Sequence, residues 1–584
     1  VLLNDIWPFV RPQRKRYRTA LMIIVALTVV EVASPLLLSV TVDLLLGRFL
    51  ADQASLFVYI LIPLIVALIG LAIARGVLTA WHRTVAGQIG ERVTEGMRAK
   101  LWNHLQDLPL DYTRKRGAGR LLLRFNADTR SVQRIVTEGM IRLPQELLLG
   151  VVALIAVSML NWRLGVVLLF MVPIFAFIFR HYNPQLRKAS QATRRRRSQF
   201  SAYVNDRING LAAVKLYVRQ QTETLRVEEL SRKVRDRAAK LAAQHGYVQG
   251  YTAATIALGG CLTLLVAAAE TAAGRLTPGA LVATYVLIGM LLPVFQRAAD
   301  VNRQAQEARL SLDRLKETLA QKRETTPNDG QATLKISDGT ITFEKVGFRY
   351  SKEERLVHNV SFSAQRGEII AVVGPNGAGK STLIDLLLRF KEATRGTISI
   401  DGQAITDVSL DSLRRQIGLV GPEAPLFEGT IAQALAYGVR TGIPEEQIQR
   451  AAQLTGIDKL IAELPDGWQT KIGNRGRTFS NGQRQLIALA RAIAGDPPIV
   501  VLDEATNAVD TETEMQIAGQ LRQIAANKTV IVVSHRQPLL AVADRIVVMN
   551  RGRVQESGTH AELIERDGLY ARLFGTQTPE SDEL

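Results

Sequence analysis

Six apolar runs, at about 19–46, 55–80, 143–160, 163–180, 248–273 and 279–296, fall in the first half of the chain. Each approaches or exceeds the roughly 20 residues a helix needs to cross the hydrocarbon core of a bilayer. Lipid offers no partner to a backbone N–H or C=O, so such runs fold as helices whose hydrogen bonds close within the segment. The second half has the pattern of an ordinary soluble α/β sequence. The patterning therefore predicts a multidomain chain: an all-α six-helix membrane domain over 1–318, a polar linker over 319–335 carrying Pro327 and Asp329-Gly330, and a soluble domain over 336–584.

The connections between the runs divide by length. GRFLADQAS, Asn161-Trp162 and AAGRLTPG are short, whereas 81–142 and 181–247 are long, polar, Arg-rich and helix-forming. The long basic connections fall on one side, together with RPQRKRYR at 11–18, and the positive-inside bias makes that side cytoplasmic, N-terminus included. A formal charge of +18 in 584 residues is thereby explained without nucleic acid. TRRRRSQ at 193–199 reads as a solvated helix face, and basic residues near the membrane are expected to meet lipid head groups.

The first run is too long for the apolar core of a signal peptide and lacks a small-residue cleavage site, so it is expected to be retained. The chain opens on Val1, so a native start upstream is expected. A single cysteine, Cys261, excludes an intrachain disulfide and reads as packing. Glu31 stands near the middle of the first run, where a carboxylate needs a cavity or a partner. Glu270, near an outer end, is expected to reach the interface, and Pro35 and Pro293 predict kinks. Two stretches break the helical pattern of the inner connections: Gly117 and Gly119 within 108–128, and Asn209-Gly210.

The soluble half carries the chemistry. IIAVVGPNGAGKSTLIDLLLRF at 369–390 is a buried strand, a glycine loop and a helix in that order. Gly374, Gly379, Lys380 and Ser381 match G-x-x-x-x-G-K-[ST], a loop whose backbone N–H groups converge on phosphate oxygens at a helix N-terminus. Gly374, Pro375, Asn376, Gly377, Ala378, Gly379, Lys380, Ser381 and Thr382 form this cradle, with Lys380 reaching the β/γ-phosphates and Ser381 holding Mg²⁺. Two strands precede it, ITFEKVGFRY and HNVSFSA, and Tyr350 closes the first.

PPIVVLDEATNAVD at 497–510 is a second buried strand that ends in two carboxylates. Asp503 suits the Mg²⁺ shell, and Glu504, one residue on, suits a base for attacking water. A third strand, TVIVVSH, ends at His535, placed to orient that water. TFSNGQRQLIALARA at 478–492 starts a helix with Ser480 at its N-cap and Gly482 just inside, a second anion-accepting helix start.

Taken together, the six runs, the P-loop, the paired carboxylates, His535 and the C-terminal VVMNRGRVQESGTHAELIERDGLY resemble the half-size ABC transporters of the exporter type over practically the whole chain. The resemblance implies an α/β P-loop ATPase domain of the ABC type, ATP and Mg²⁺ as cofactors, and Tyr350 stacked on adenine. It implies that Ser480, Asn481, Gly482 and Gln483 form the signature that closes over ATP held by a partner, giving two ATP sites between two chains. It also implies that the breaks near Gly117 and Asn209-Gly210 are intracellular coupling elements, and that the location is a bacterial inner membrane. The expected function is ATP-driven export of a small or amphipathic substrate by alternating access. An importer of siderophore type on the same fold and a membrane-anchored ABC ATPase with a regulatory role are the alternatives.

Three positions depart from the family pattern. Asn481 stands where the signature has a glycine, Pro422 where the glutamine loop has its glutamine, with Glu423 beside it, and Asn474 where an acidic residue is usual. Lys380, Ser381, Asp503, Glu504 and His535 are intact. An intact ATP-holding half beside an altered signature resembles one member of a heterodimeric exporter, so a second, different half-transporter is the expected partner ahead of a homodimer.

Overall fold

The computed structural model describes residues 2–49, 54–324, 332–349, 355–422, 425–438, 444–473, 479–506 and 511–575. Tyr350, Glu423 and Asn474 lie outside them. The chain forms two compact units, Val1–Lys322 and Arg323–Leu584.

The first unit is helical. α1 (Leu2–Val10) passes through a 3₁₀ turn into α2 (Arg14–Phe49), followed by α3 (Ala54–Gln106), α4 (Leu110–Arg116), α5 (Ala118–Leu123), α6 (Thr129–Arg134) and α7 (Leu143–Leu160). α8 (Trp162–Asn209), α9 (Leu211–Leu216), α10 (Gln220–Ala272) and α11 (Pro278–Leu319) complete it. Among the described residues five stretches are long and apolar enough to cross a membrane: Asp5–Leu46, Tyr59–Gln106, Ala118–Leu160, Trp162–Asn209 and Gln220–Ala272. A shorter apolar stretch, Pro278–Leu291, opens α11. The long inner connections are thus built mostly of continuations of the membrane helices, joined by the short helices α4 and α9. An uninterrupted backbone ladder is the lowest-cost way to leave a bilayer with every amide paired.

Ile62, Val66, Ile69, Ile73 and Val77 of α3 stay more than half exposed. In a soluble protein such a stripe would be an error; on a membrane helix it is free to meet lipid or a partner chain. Two apolar clusters hold the unit together. One joins α1, α2, α3, α6 and α11 through Ile6, Ile23, Ile89, Val132 and Leu312; the other joins α2, α7, α8, α10 and α11 through Val32, Val157, Leu164, Ala267 and Leu287.

Two expectations for the inner connections are corrected. In the first inner connection the chain turns at 107–109, between α3 and α4, and again at Gly117 (φ 75), whereas α5 runs through Gly119. At the second, Asn209-Gly210 only ends α8, and the left-handed backbone falls later, at Val218 (φ 51), between α9 and α10. Glu270 is 5% exposed and gathered by Arg275 through Nε and Nη2, both at 2.9 Å, by Asn161 Nδ2 at 3.1 Å and by Arg163, donors in or beside the short connections. A buried carboxylate is tolerated there because each oxygen is claimed by a charged or amide donor. α2 runs uninterrupted through Pro35.

The second unit is α/β. β1 (Ile341–Arg349), β2 (Arg355–Ala364), β3 (Ile369–Val373), α12 (Lys380–Leu387), β4 (Arg395–Ile400), β5 (Gln403–Ala404), α13 (Leu410–Arg415) and β6 (Ile417–Val420) come first. A two-stranded ribbon, β7 (Gly429–Thr430) with β8 (Lys471–Ile472), frames α14 (Ile431–Ala436), α15 (Glu445–Thr455) and α16 (Ile457–Glu463). There follow α17 (Asn481–Ile493), β9 (Ile499–Asp503), α18 (Thr511–Ala525), β10 (Thr529–Val533), α19 (Gln537–Ala541), β11 (Arg545–Asn550), β12 (Arg553–Gly558), α20 (His560–Glu565) and α21 (Leu569–Phe574).

The main sheet has the order β12-β11-β3-β10-β9-β6, and β3 lies parallel between β10 and β11. β3, β10 and the first four residues of β9 are fully buried, as parallel strands covered on both faces must be, which is why they read as continuous Val/Ile/Leu runs. A second, antiparallel sheet, β2-β1-β4-β5, packs its apolar face against the same core. Asp401 at the end of β4 fixes the chain entering β1: one carboxylate oxygen accepts from Ser337, Asp338 and Gly339 N–H at 2.8, 3.1 and 3.1 Å, the other from Thr340 N–H at 2.8 Å.

Candidate active site

The site lies at the carboxyl ends of β3, β9 and β10, where parallel strands present their loops side by side. β3 delivers the glycine loop. Gly374 has φ 145, and a Cβ there would stand 2.0 Å from the carbonyl oxygen of Met549 on β11. Gly379 has φ 99, and its Cβ would meet Leu356 O at 3.0 Å. No side chain is accommodated at either position, so backbone alone shapes the cradle. Pro375, Asn376 and Gly377 are exposed at its rim, Ala378 and Thr382 are buried beneath it, and Gly552 N–H ties Ala378 O to the β11–β12 turn at 3.2 Å.

Lys380 opens α12 and folds back over the loop, donating from Nζ to Gly374 O at 2.7 Å and Pro375 O at 3.2 Å. Burial holds its ammonium below the ordinary lysine range, against the pull of the Glu504 and Asp503 carboxylates. Ser381 Oγ donates to Asp503 Oδ1 at 3.1 Å, joining the helix start to the tip of β9. Burial raises the Asp503 carboxyl, Ser381 lowers it and the neighbouring Glu504 adds to the rise. A hydroxyl beside a half-buried, reluctant carboxylate fits the oxygen-donor set of Mg²⁺, whose charge would neutralise phosphate oxygens when bound. A glycine cradle next to a buried ammonium fits a nucleotide's phosphates.

Glu504 has φ 49, left-handed for a non-glycine residue, and its N–H is fixed by Val533 O at 2.9 Å. A strained backbone at a strand tip that aims a carboxylate away from its neighbour is the kind of outlier that clusters at reactive sites. His535 follows β10 and is exposed, standing on buried Ser534, whose Oγ accepts from Arg536 N–H at 3.1 Å. β9 and β10 pair in register, Asp503 opposite Val533, which brings Glu504 and His535 to one edge of the cradle.

Ser480 caps α17 with a reciprocal box: Gln483 N–H donates to Ser480 Oγ at 3.1 Å and Ser480 N–H to Gln483 Oε1 at 2.9 Å. Gly482 lies against Thr513, its Cβ position 3.1 Å from that hydroxyl. The Asn481 side chain turns back to accept from Arg484. Ser480, Asn481, Gly482 and Gln483 thus form one turn at the start of α17, far from the cradle of their own chain in sequence.

Two residues escaped sequence reasoning. Gln485, 4% exposed on the apolar side of α17, donates from Nε2 to Pro422 O at 3.1 Å, linking the signature helix to the segment after β6. Glu514, 2% exposed on α18, accepts from Thr506 Oγ1 at 3.3 Å and pairs with Arg536 at 3.8 Å, bridging the chain after Glu504 to the chain after His535. A polar residue in the apolar stripe of each helix was the available signal.

Fold and site together define a membrane-embedded P-loop ATPase. Residues 19–294 match the model of the ABC transporter transmembrane region and residues 357–507 that of the ABC transporter ATPase. The chain is 32% identical to an ATP-dependent lipid A-core flippase of Ralstonia nicotianae over 98% of its own length and 96% of that protein's. It is 30% identical to the uncharacterized ABC transporter ATP-binding protein YknV of Bacillus subtilis, over 97% and 93%. Among solved structures, a bacterial Atm1-family ABC exporter with ATP bound matches with a TM-score of 0.83 at 28% identity, covering 97% of this chain and all of that one. The chain belongs to the ABC transporters of the exporter type. It is an integral membrane protein that binds nucleotide and couples ATP hydrolysis to export, and as a half-size chain it belongs to a type that dimerises.

Proposed function

We propose that this chain moves an amphipathic lipid from the cytoplasmic to the outer leaflet of a bacterial inner membrane, with the nucleotide domain and N-terminus in the cytoplasm. The flippases among its relatives support a lipid cargo, and the exporter relatives favour export over the siderophore-import and regulatory readings. The observation that carries the ATPase reading is the Ser381–Asp503 contact at 3.1 Å with Glu504 beside it.

In this reading Gly374 through Thr382 hold the phosphates, Lys380 supplies their countercharge, and Ser381 and Asp503 hold Mg²⁺. Glu504 takes the proton of the attacking water at its carboxylate, and His535 orients that water. Tyr350 stacks on the adenine. Ser480, Asn481, Gly482 and Gln483 complete the ATP site of a second chain, since a capped helix start with free donors is an anion site in need of an anion. Asn481 and Pro422 favour a different half-transporter as that second chain. A purified chain that is a stable homodimer with brisk ATPase would remove the heterodimer.

Reconstitution in vesicles tests the whole. ATP-dependent movement of a fluorescent lipid between leaflets, absent with a nonhydrolysable nucleotide, is the expected result; ATP turnover without movement of any lipid defeats the lipid reading.

A further inference from the structure

A cavity of about 290 Å³ lies between α7, α8, α10 and α11. Val151 and Leu154 of α7, Met171 and Phe175 of α8, and Ile288 and Leu291 of α11 line it, and α10 presents Gly259 and Gly260. The glycines make the space. At Gly259 a Cβ would meet Met171 Sδ at 2.6 Å, while at Gly260 the nearest atom, Ile288 Cγ2, is 3.9 Å away.

The lining is apolar throughout, and charge lies next to it along α7 and α11. Glu146 adjoins the lining residue Leu147, and Arg297 stands one turn beyond the lining residue Val294. Arg297 Nη2 lies 3.6 Å from Glu146 Oε1, and its Nη1 donates to Glu138 Oε2 at 3.0 Å. Arg142 Nη1 holds the other Glu138 oxygen at 2.7 Å. Next to them, within electrostatic reach of Glu146, Arg75 Nε donates to Glu31 Oε1 at 3.2 Å. Glu31 is 7% exposed, and its Oε2 is buried with no hydrogen-bond partner among the described residues. Among those residues three guanidiniums therefore meet three carboxylates, and one buried carboxylate oxygen is left open.

An acidic head group entering this cluster would meet arginines that are already neutralised, and would leave a net charge in a medium where uncompensated charge is costly. A lone cation meets the same obstacle at the carboxylates. A head group bearing both signs adds no net charge: its phosphate can take Arg297 and Arg142 while its ammonium takes Glu146 and the open oxygen of Glu31. Resting on the lipid-export reading above, we propose that the cavity and the ion-pair cluster next to it form one binding site for a zwitterionic phospholipid with a primary ammonium. An acyl chain occupies the cavity and the head group lies between Arg297 and Glu146.

The test uses the full chain in vesicles with fluorescent phosphatidylethanolamine or phosphatidylglycerol as the moving lipid. Phosphatidylethanolamine is expected to move about tenfold faster, the ratio that a difference of about 1.4 kcal/mol gives. Glu146→Gln removes one carboxylate from the cluster, leaving Arg297 with Glu138 alone, and should shift the ratio toward phosphatidylglycerol; Arg297→Gln should slow phosphatidylethanolamine without helping phosphatidylglycerol. Gly260→Leu fills the cavity and should stop both lipids while nucleotide still binds. Equal rates for the two lipids with a ratio indifferent to Glu146→Gln overturn the site but leave lipid export standing. Movement of neither lipid by the unaltered protein overturns lipid export and the site together.

Discussion

Ser381 and Asp503 stand 122 residues apart in sequence and 3.1 Å apart in the fold, the hydroxyl donating to Oδ1. The contact exists because β3 and β9 both flank β10 in parallel, so the helix start after one strand meets the carboxylate tip of the other. Burial raises the Asp503 carboxyl above the usual aspartate value of 3.8. The ionised form is the one that binds a divalent cation, so protonation on acidification removes it. The acid limb of ATPase activity should thus begin at a pH above that expected from an ordinary aspartate. A pH–rate profile at fixed Mg²⁺ checks this, and Asp503→Asn should abolish the limb along with most turnover.

Glu504→Gln keeps the shape and removes the base. Turnover should fall by about 10²–10⁴-fold while ATP still binds. Single-turnover hydrolysis beside equilibrium nucleotide binding separates the two, and unchanged hydrolysis would take Glu504 out of its role.

Gly374→Ala forces a Cβ to within 2.0 Å of Met549 O at φ 145. Neither backbone can yield without disturbing β11, so nucleotide affinity should collapse although every phosphate-binding side chain remains. Ala at Gly377, where φ is 80 but nothing lies within 4 Å, should cost less. Equal losses at the two positions would show that conformation alone, and not the approach to β11, sets the constraint.

Asn481→Gly removes the side chain that accepts from Arg484 and restores the residue usual in the family. If Asn481 restrains turnover, ATPase in the assembled transporter should rise. A fall would mean that its contact with Arg484 organises the helix start.

Asp401 is a stability device with a pH signature. Burial raises its carboxyl, but the N–H groups of Gly339, Ser337, Thr340 and Asp338 more than offset that and leave it below the ordinary 3.8. A lowered folded value means that the stabilisation is fully present above pH 3.8 and is lost as pH falls through the folded value. Asp401→Asn should lower the Tm of the second unit by roughly 3–6 °C at pH 7, and the gap from the unaltered protein should close on acidification below pH 3.8. A gap that is constant with pH would assign the effect to packing.

The phosphate cradle was legible because it is local. A buried strand, glycines at fixed offsets, Lys380 and Ser381 are consecutive, and backbone rules join them without help from the rest of the chain. The apolar runs were legible for a similar reason, since lipid leaves the backbone no alternative to a helix. Contacts between distant residues were not. Gln485 reads as one more residue of an amphipathic helix until packing sets it against Pro422, and Glu514 until packing sets it between Thr506 and Arg536. The reversal at Val218 was hidden because Asn-Gly is the stronger turn signal, yet helix packing moved the left-handed residue further on.

Sequence by itself determined the class: which half enters a membrane, where a glycine loop joins a buried strand to a helix, and which carboxylates end which strands. Periodicity and short motifs are set by backbone chemistry, and that is the same in every fold. Only the tertiary structure decided that Glu270 is buried among Arg163, Arg275 and Asn161, that Asp401 anchors four consecutive amides, and that Glu146 of α7 pairs with Arg297 of α11. Those pairings depend on how helices and strands cross. Crossing is settled by the packing of whole surfaces, which no single stretch of sequence contains.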